Sequence, residues 1–149
     1  MRAGASPASA AVRRTILLIE DNPADARLAV EAFGACAVPC RVEHLTDGAQ
    51  ALALLRERLQ RGEPLPDLVL LDLNLPGLDG RELLAALKGA PGLRRIPVIV
   101  LTTSRAEADV LACYELHANS FVAKPMDLDS FERVAEAISR FWLETAELP

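Results

Sequence analysis

Five residues of this 149-residue chain invite a chemical reading together: Glu20, Asp21, Asp72, Thr102 and Lys124. Each sits at the end of a short apolar run or directly after one. Carboxylates brought close together repel one another and resist ionisation unless a cation answers them. Oxygen-only ligands on a rim open to water suit Mg²⁺, which keeps several waters and commonly shares phosphate oxygens. A lysine adds a point charge and a threonine adds a hydroxyl. Such a set suits phosphoryl transfer, where catalysis is positioning plus charge stabilisation. No serine or cysteine has an evident base partner, so the nucleophile expected here is a carboxylate and the covalent product an aspartyl phosphate.

That chemistry requires the five residues to converge, and the apolar patterning supplies a way. Runs at Thr15–Ile19, Leu68–Leu71 and Val98–Leu101 are continuous rather than alternating, as in strands covered on both faces of a parallel sheet. Arg41–Leu45 is more polar and fits an edge, and Ser120–Ala123 supplies a fifth strand. Helical spacing separates the runs. It predicts helices near Asp25–Ala35 (Leu28, Ala32, Phe33 on one face), Gly48–Arg61 (Leu52, Leu55, Leu59) and Gly80–Lys88 (Leu83, Leu84, Leu87). Two more follow, at Ala106–Leu116 (Val110, Leu111, Tyr114) and Leu128–Leu143 (Leu128, Phe131, Val134, Ala135, Ile138, Phe141, Trp142). Asp79 and Asp127 stand where helix caps belong. The order βαβαβαβαβα with right-handed crossovers gives an α/β, flavodoxin-like doubly wound sheet of strand order 2-1-3-4-5. Its ligand site lies at the carboxyl ends of the strands, where all five residues fall. An acidic pair or a Lys-Pro alone is ordinarily a turn or a cap; four strand ends carrying this set are far more specific.

Composition narrows the functional classes. Apolar residues make up 51% and charged residues 25%, as in a globular domain. The net charge of −5 and 4% aromatics speak against nucleic acid as a direct ligand. No apolar stretch is long enough to span a membrane. Residues 1–13 read as a flexible Ala/Ser/Pro-rich extension without the apolar core of a signal peptide, 14–143 as one domain, and 144–149 as a tail. Cys36, Cys40 and Cys113 read as reduced thiols of a cytoplasmic protein. Cys36, Cys40 and His44 recur every four residues, but Pro39 interrupts any helix that would align them as zinc ligands.

Four segments resemble the receiver domain of two-component response regulators. They are Ile16-Leu17-Leu18-Ile19-Glu20-Asp21-Asn22, Leu70-Leu71-Asp72-Leu73-Asn74-Leu75-Pro76-Gly77-Leu78-Asp79-Gly80, Val100-Leu101-Thr102-Thr103 and Phe121-Val122-Ala123-Lys124-Pro125. The resemblance runs from Arg14 to about Arg140. It implies a single-domain regulator with Asp72 as phosphoacceptor for a histidine kinase. Asp21, Asp72 and the Asn74 carbonyl would hold Mg²⁺, and Glu20, often Asp in receivers, would act through water. It further implies that Lys124 pairs with the phosphoryl group and that Thr102 and Phe121 form the switch. Asn74 and Ser104 would tune dephosphorylation, and the Lys124–Pro125 peptide would be cis. His44 and His117 read as structural, since the family's histidine belongs to the kinase.

A narrower resemblance links Asp21-Asn22-Pro23-Ala24-Asp25, Tyr114-Glu115-Leu116-His117-Ala118-Asn119 and Phe141-Trp142-Leu143-Glu144 to regulators paired with phytochrome-type photosensor kinases. Phe141 and Trp142 are adjacent, so one core-facing stripe buries both only in part. With Tyr114 they mark an expected partner face, a homodimer through helix 4, strand 5 and helix 5. Two other readings compete with this one. A haloacid-dehalogenase-type phosphatase needs a second Asp where Asn74 stands. An unphosphorylated pseudo-receiver scaffold differs from a working receiver in taking up no phosphate.

Overall fold

The computed structural model describes residues 14–103, 106–146 and Leu148. The flexible extension expected over 1–13 and the tuning role expected of Ser104 lie outside the described residues. The elements run β1 (Arg14–Ile19), α1 (Pro23–Gly34), β2 (Cys40–Leu45), α2 (Gly48–Arg61), β3 (Leu68–Leu71) and α3 (Gly80–Gly89). Then come β4 (Val98–Thr102), α4 (Glu107–Glu115), β5 (Ser120–Ala123), α5 (Leu128–Ile138) and a π-helical segment (Ser139–Thr145). The five strands are ordered β2-β1-β3-β4-β5, all pairs parallel, as the apolar runs predict.

The continuous runs exist because the sheet is covered on both faces. Leu17, Ile19, Val69, Leu71, Val98 and Val100 pack with Leu52 and Leu55 of α2, Leu83, Leu84 and Leu87 of α3, and Cys113 of α4. The alternate residues Ile16, Leu18, Leu68, Leu70, Ile99 and Leu101 pack with Phe33 of α1 and with Phe131, Ala135 and Ile138 of α5. Period-two alternation thus survives as a choice between two cores, not between core and water.

Three local expectations are corrected. The stripe Val110, Leu111 and Tyr114 does not turn α4 toward the core. Leu111 is 60% and Tyr114 48% exposed, and Cys113 is the buried residue of this helix. Apolar spacing reports that a stripe exists, not which neighbour it meets. The last helix does not continue as an α-helix to Leu143. Ser139 is buried and its Oγ donates to the Glu136 carbonyl at 3.1 Å, a local bond that competes with the helical ladder. The chain then widens, and the Ala146 amide reaches the Phe141 carbonyl five residues back at 2.7 Å. This spacing buries both Ile138 and Leu143. Finally, no cis peptide occurs among the described residues, so Lys124–Pro125 is trans. Trans is the lower-energy isomer of an X–Pro bond by about 0.5–1 kcal/mol.

Candidate phosphoryl-acceptor site

The parallel register sets the rim. The Asp72 amide donates to the Ile19 carbonyl at 3.1 Å, and the Glu20 amide to the Leu45 carbonyl at 3.0 Å. The Lys124 amide donates to the Thr102 carbonyl at 2.8 Å. Asp72, Glu20 and Lys124 are each pinned by a backbone bond to the end of the neighbouring strand. Glu20, Asp72, Thr102 and Lys124 are all buried, and Asp21 faces solvent.

Glu20, Asp21 and Asp72 each present a carboxylate oxygen within 4.8 Å of the others. Lys124 Nζ stands among carboxylates as well, 2.5 Å from Glu20 Oε1, 3.0 Å from Asp25 Oδ2 and 3.3 Å from Asp72 Oδ2. Burial pushes the Glu20 carboxyl up to about 7, and the Asp72 charge adds to this, against hydrogen bonds from Lys124 and the Asn22 amide. Burial works to lower the Lys124 value too, but Glu20, Asp25 and Asp72 outweigh it and hold the ammonium above the ordinary lysine range. One ammonium thus faces the carboxylates of Glu20, Asp25 and Asp72, with Asp21 close by, so the cluster is short of positive charge. A hard divalent cation supplies that charge, and three clustered carboxylates open to water on the Asp21 side fit Mg²⁺.

Loop architecture serves the same rim. Asn22 caps α1, its Oδ1 accepting from the Ala24 and Asp25 amides at 2.9 and 3.1 Å. The Asn22 amide in turn donates to Glu20 Oε2 at 3.1 Å, fixing that side chain. His44 Nε2 lies 2.8 Å from the Glu20 carbonyl oxygen, which can only accept, so the imidazole is the donor. After β3 the chain turns back sharply into α3. A Cβ on Gly80 would stand 2.5 Å from both the Asp72 carbonyl oxygen and Leu73 Cα, so the helix seats there only because residue 80 has no side chain. The Asn74 amide reaches Asp72 Oδ1 at 3.4 Å.

The other expected residues separate. Phe121 is half-buried on β5, against the core layer that holds Cys113. Its amide donates to the Tyr114 hydroxyl at 3.2 Å, tying the edge of β5 to α4. Phe141 is 54% exposed and meets Trp142 edge-on at 5.1 Å between ring centroids. Cys36 and Cys40 bond through sulfur to the carbonyls of Ala32 and Phe33, away from His44. His117 adopts a left-handed φ of 71° beyond the end of α4, a conformation histidine tolerates better than most residues. No helix among the described residues is long and apolar enough to cross a membrane.

Sequence reasoning missed Asp25 and Gly80 as parts of this site. The missed signals were an acid in the first turn of α1 and a glycine at the first position of α3.

Known proteins similar in sequence and fold include response regulators. Residues 16–136 match the family described as the response regulator receiver domain. Response regulator Rcp1 of Synechocystis is 46% identical over 137 residues, covering 91% of this chain and 93% of its own. The crystal structure of its Mn²⁺-bound form superposes with a TM-score of 0.81 over 91% of this chain and 99% of that one. The phosphorylated cyanobacterial phytochrome response regulator RcpA is likewise 46% identical, with a TM-score of 0.84 over 92% and 99% of the two chains. The chain belongs to the response-regulator receiver family, the phosphoacceptors that two-component systems pair with histidine kinases.

Proposed function

We propose that Asp72 accepts a phosphoryl group from a phosphohistidine of a sensor kinase and that the resulting aspartyl phosphate signals by protein contact. The observation that carries this reading is Lys124 Nζ, buried and 3.3 Å from Asp72 Oδ2, beside two further carboxylates at the strand ends. A carboxylate oxygen of Asp72 attacks phosphorus. The N–P bond breaks as the O–P bond forms, and the departing imidazole takes up a proton. Glu20, Asp21, Asp72 and the Asn74 carbonyl would hold Mg²⁺. When bound, that ion neutralises charge on the phosphoryl oxygens.

Lys124 donates to a phosphoryl oxygen, and the Thr102 hydroxyl to another. Thr102 and Phe121 then shift together, biasing the face formed by α4, β5 and α5 toward its active state. Water later attacks phosphorus and breaks the O–P bond, restoring the carboxylate and releasing inorganic phosphate. Asn74 and Ser104 set the rate of that step. The domain acts on itself and turns over no separate substrate.

Similarity to Rcp1 and RcpA supports a phytochrome-type kinase as donor. Exposure of Leu111, Tyr114 and Phe141 supports a homodimer through the α4–β5–α5 face. The negative net charge supports protein rather than nucleic acid as output, and Cys36, Cys40 and Cys113, none of them in a disulfide, support a cytoplasmic setting.

The test is labelled phosphate uptake with Mg²⁺, from acetyl phosphate and from an autophosphorylated phytochrome-type kinase. Label on the wild type, absent with EDTA and in Asp72→Asn, is expected. A folded wild type that takes label from neither donor would leave the scaffold reading in its place.

A further inference from the structure

Asp25 occupies the third position of α1, two residues after Pro23 at the helix start. An acid there ordinarily turns back to accept the amide of the capping residue. Here that amide, of Asn22, is already taken by Glu20 Oε2 at 3.1 Å. The Asp25 carboxylate turns instead to Lys124 and accepts from Nζ at 3.0 Å.

An ammonium has three hydrogens, and the three carboxylates around Lys124 engage all of them. These partners are not equivalent. Glu20 and Asp72 also belong to the acidic cluster with Asp21, whereas Asp25 stands outside it. Any cation or phosphoryl group at the cluster draws on Glu20 and Asp72. Asp25 is the carboxylate left to hold the lysine.

We propose that Asp25 is a positioning residue for phosphoryl transfer: it anchors the Lys124 ammonium from the α1 side, so that a hydrogen freed from Asp72 is aimed at the incoming phosphoryl oxygen. This rests on Asp72 being the phosphoacceptor. Asp25 touches neither donor nor metal and acts through Lys124. The Asn22-Pro23 cap serves the site by fixing the turn that delivers this carboxylate.

The experiment compares wild type with Asp25→Asn and Asp25→Glu in the full chain. The maximal rate of Asp72 phosphorylation by acetyl phosphate, its half-saturating concentration and the Mg²⁺ affinity from a fluorescence titration are measured separately. Asp25→Asn is expected to lower the maximal rate about tenfold, as misplacement of a positioned group does. Mg²⁺ affinity should stay within about twofold, because Asp25 lies outside the cluster, and Asp25→Glu should recover much of the loss. In the metal-free protein, the Lys124 side-chain ¹⁵N–¹H signal should be sharp in wild type and broadened in Asp25→Asn. Asp25→Ser, which also suits a helix start, replaces the Asn variant if that one fails to fold. A maximal rate within about twofold of wild type, or a loss matched by an equal loss of Mg²⁺ affinity, would overturn the proposal. Unlabelled wild type would overturn the phosphoacceptor reading along with it; labelled wild type with an equally fast Asp25→Asn overturns the role of Asp25 alone.

Discussion

Gly80→Ala separates local propensity from packing, because the two expect opposite signs. Alanine in place of glycine within a helix ordinarily adds stability, up to about 1 kcal/mol. At residue 80, however, the new Cβ would lie 2.5 Å from the Asp72 carbonyl oxygen, 2.5 Å from Leu73 Cα and 2.9 Å from the Leu73 carbonyl oxygen. All three neighbours are backbone, so no side chain can rotate aside. Ordinary contact begins at 3.4 Å, so the α3 start and the Asp72–Leu73 segment must part by nearly an ångström. Overpacking a tight core costs about 1–3 kcal/mol, and rigid neighbours on every side place this case at the upper end. A net loss of about 2 kcal/mol is expected by urea unfolding, a fall of roughly 4–8 °C in Tm for a chain this size. The strain falls on the carbonyl of Asp72, the proposed phosphoacceptor, so the phosphorylation rate should fall by about tenfold or more. Gly34→Ala is the matched control, since nothing lies within 4 Å of its new Cβ; it should be neutral or stabilising. Gly80→Ala as stable as wild type, with unchanged phosphorylation, would refute the claim that this glycine seats α3 behind Asp72.

Glu43 and Arg58 form a two-pronged pair at 3.0 and 2.8 Å between β2 and α2, and the Arg58 hydrogen bonds hold the Glu43 carboxyl below its ordinary value near 4.5. Its stabilisation is present above that value and is lost as pH falls through the lowered one. Glu43→Gln should therefore cost about 1 kcal/mol at pH 7, and the gap should close in unfolding curves taken progressively below pH 4.5. Phe33 is buried under the α1–α5 side of the sheet, so Phe33→Ala should cost about 3–5 kcal/mol by the same assay. Cys113 is fully buried and burial pushes its thiol up; alkylation under native conditions should mark Cys36 and Cys40 and spare Cys113 until denaturant is added. If the proposed α4–β5–α5 dimer forms, Phe141→Glu should leave Tm nearly unchanged and shift the phosphorylated protein to monomer in analytical ultracentrifugation, given the 54% exposure of that ring.

The strand order and the main site were legible because both rest on patterns local to the chain. The runs Ile16–Ile19, Leu68–Leu71 and Val98–Leu101 can lie only in a sheet covered twice, and parallel strands bring their carboxyl ends to one rim. What stayed hidden depends on partners far apart in sequence. Asp25 meets Lys124 across 99 residues, and only the prior use of the Asn22 amide diverts it there. Gly80 matters because the backbone of Asp72 passes beneath it, which composition does not record. The α4 stripe was visible but not its direction, since Cys113 rather than Leu111 meets the sheet. The π-helical segment turns on one buried serine, whose bond to Glu136 carries no periodic signature.

The most direct test of the central claim is to locate the phosphoryl group chemically. The protein, phosphorylated with Mg²⁺ present, is reduced with borohydride, which converts an aspartyl phosphate to homoserine, and is then mapped by peptide mass spectrometry. The expected result is homoserine at position 72 alone, absent without donor and absent when EDTA is added before it. Homoserine at another carboxylate, or an unmodified Asp72 peptide from protein that had taken up phosphate, would contradict the account.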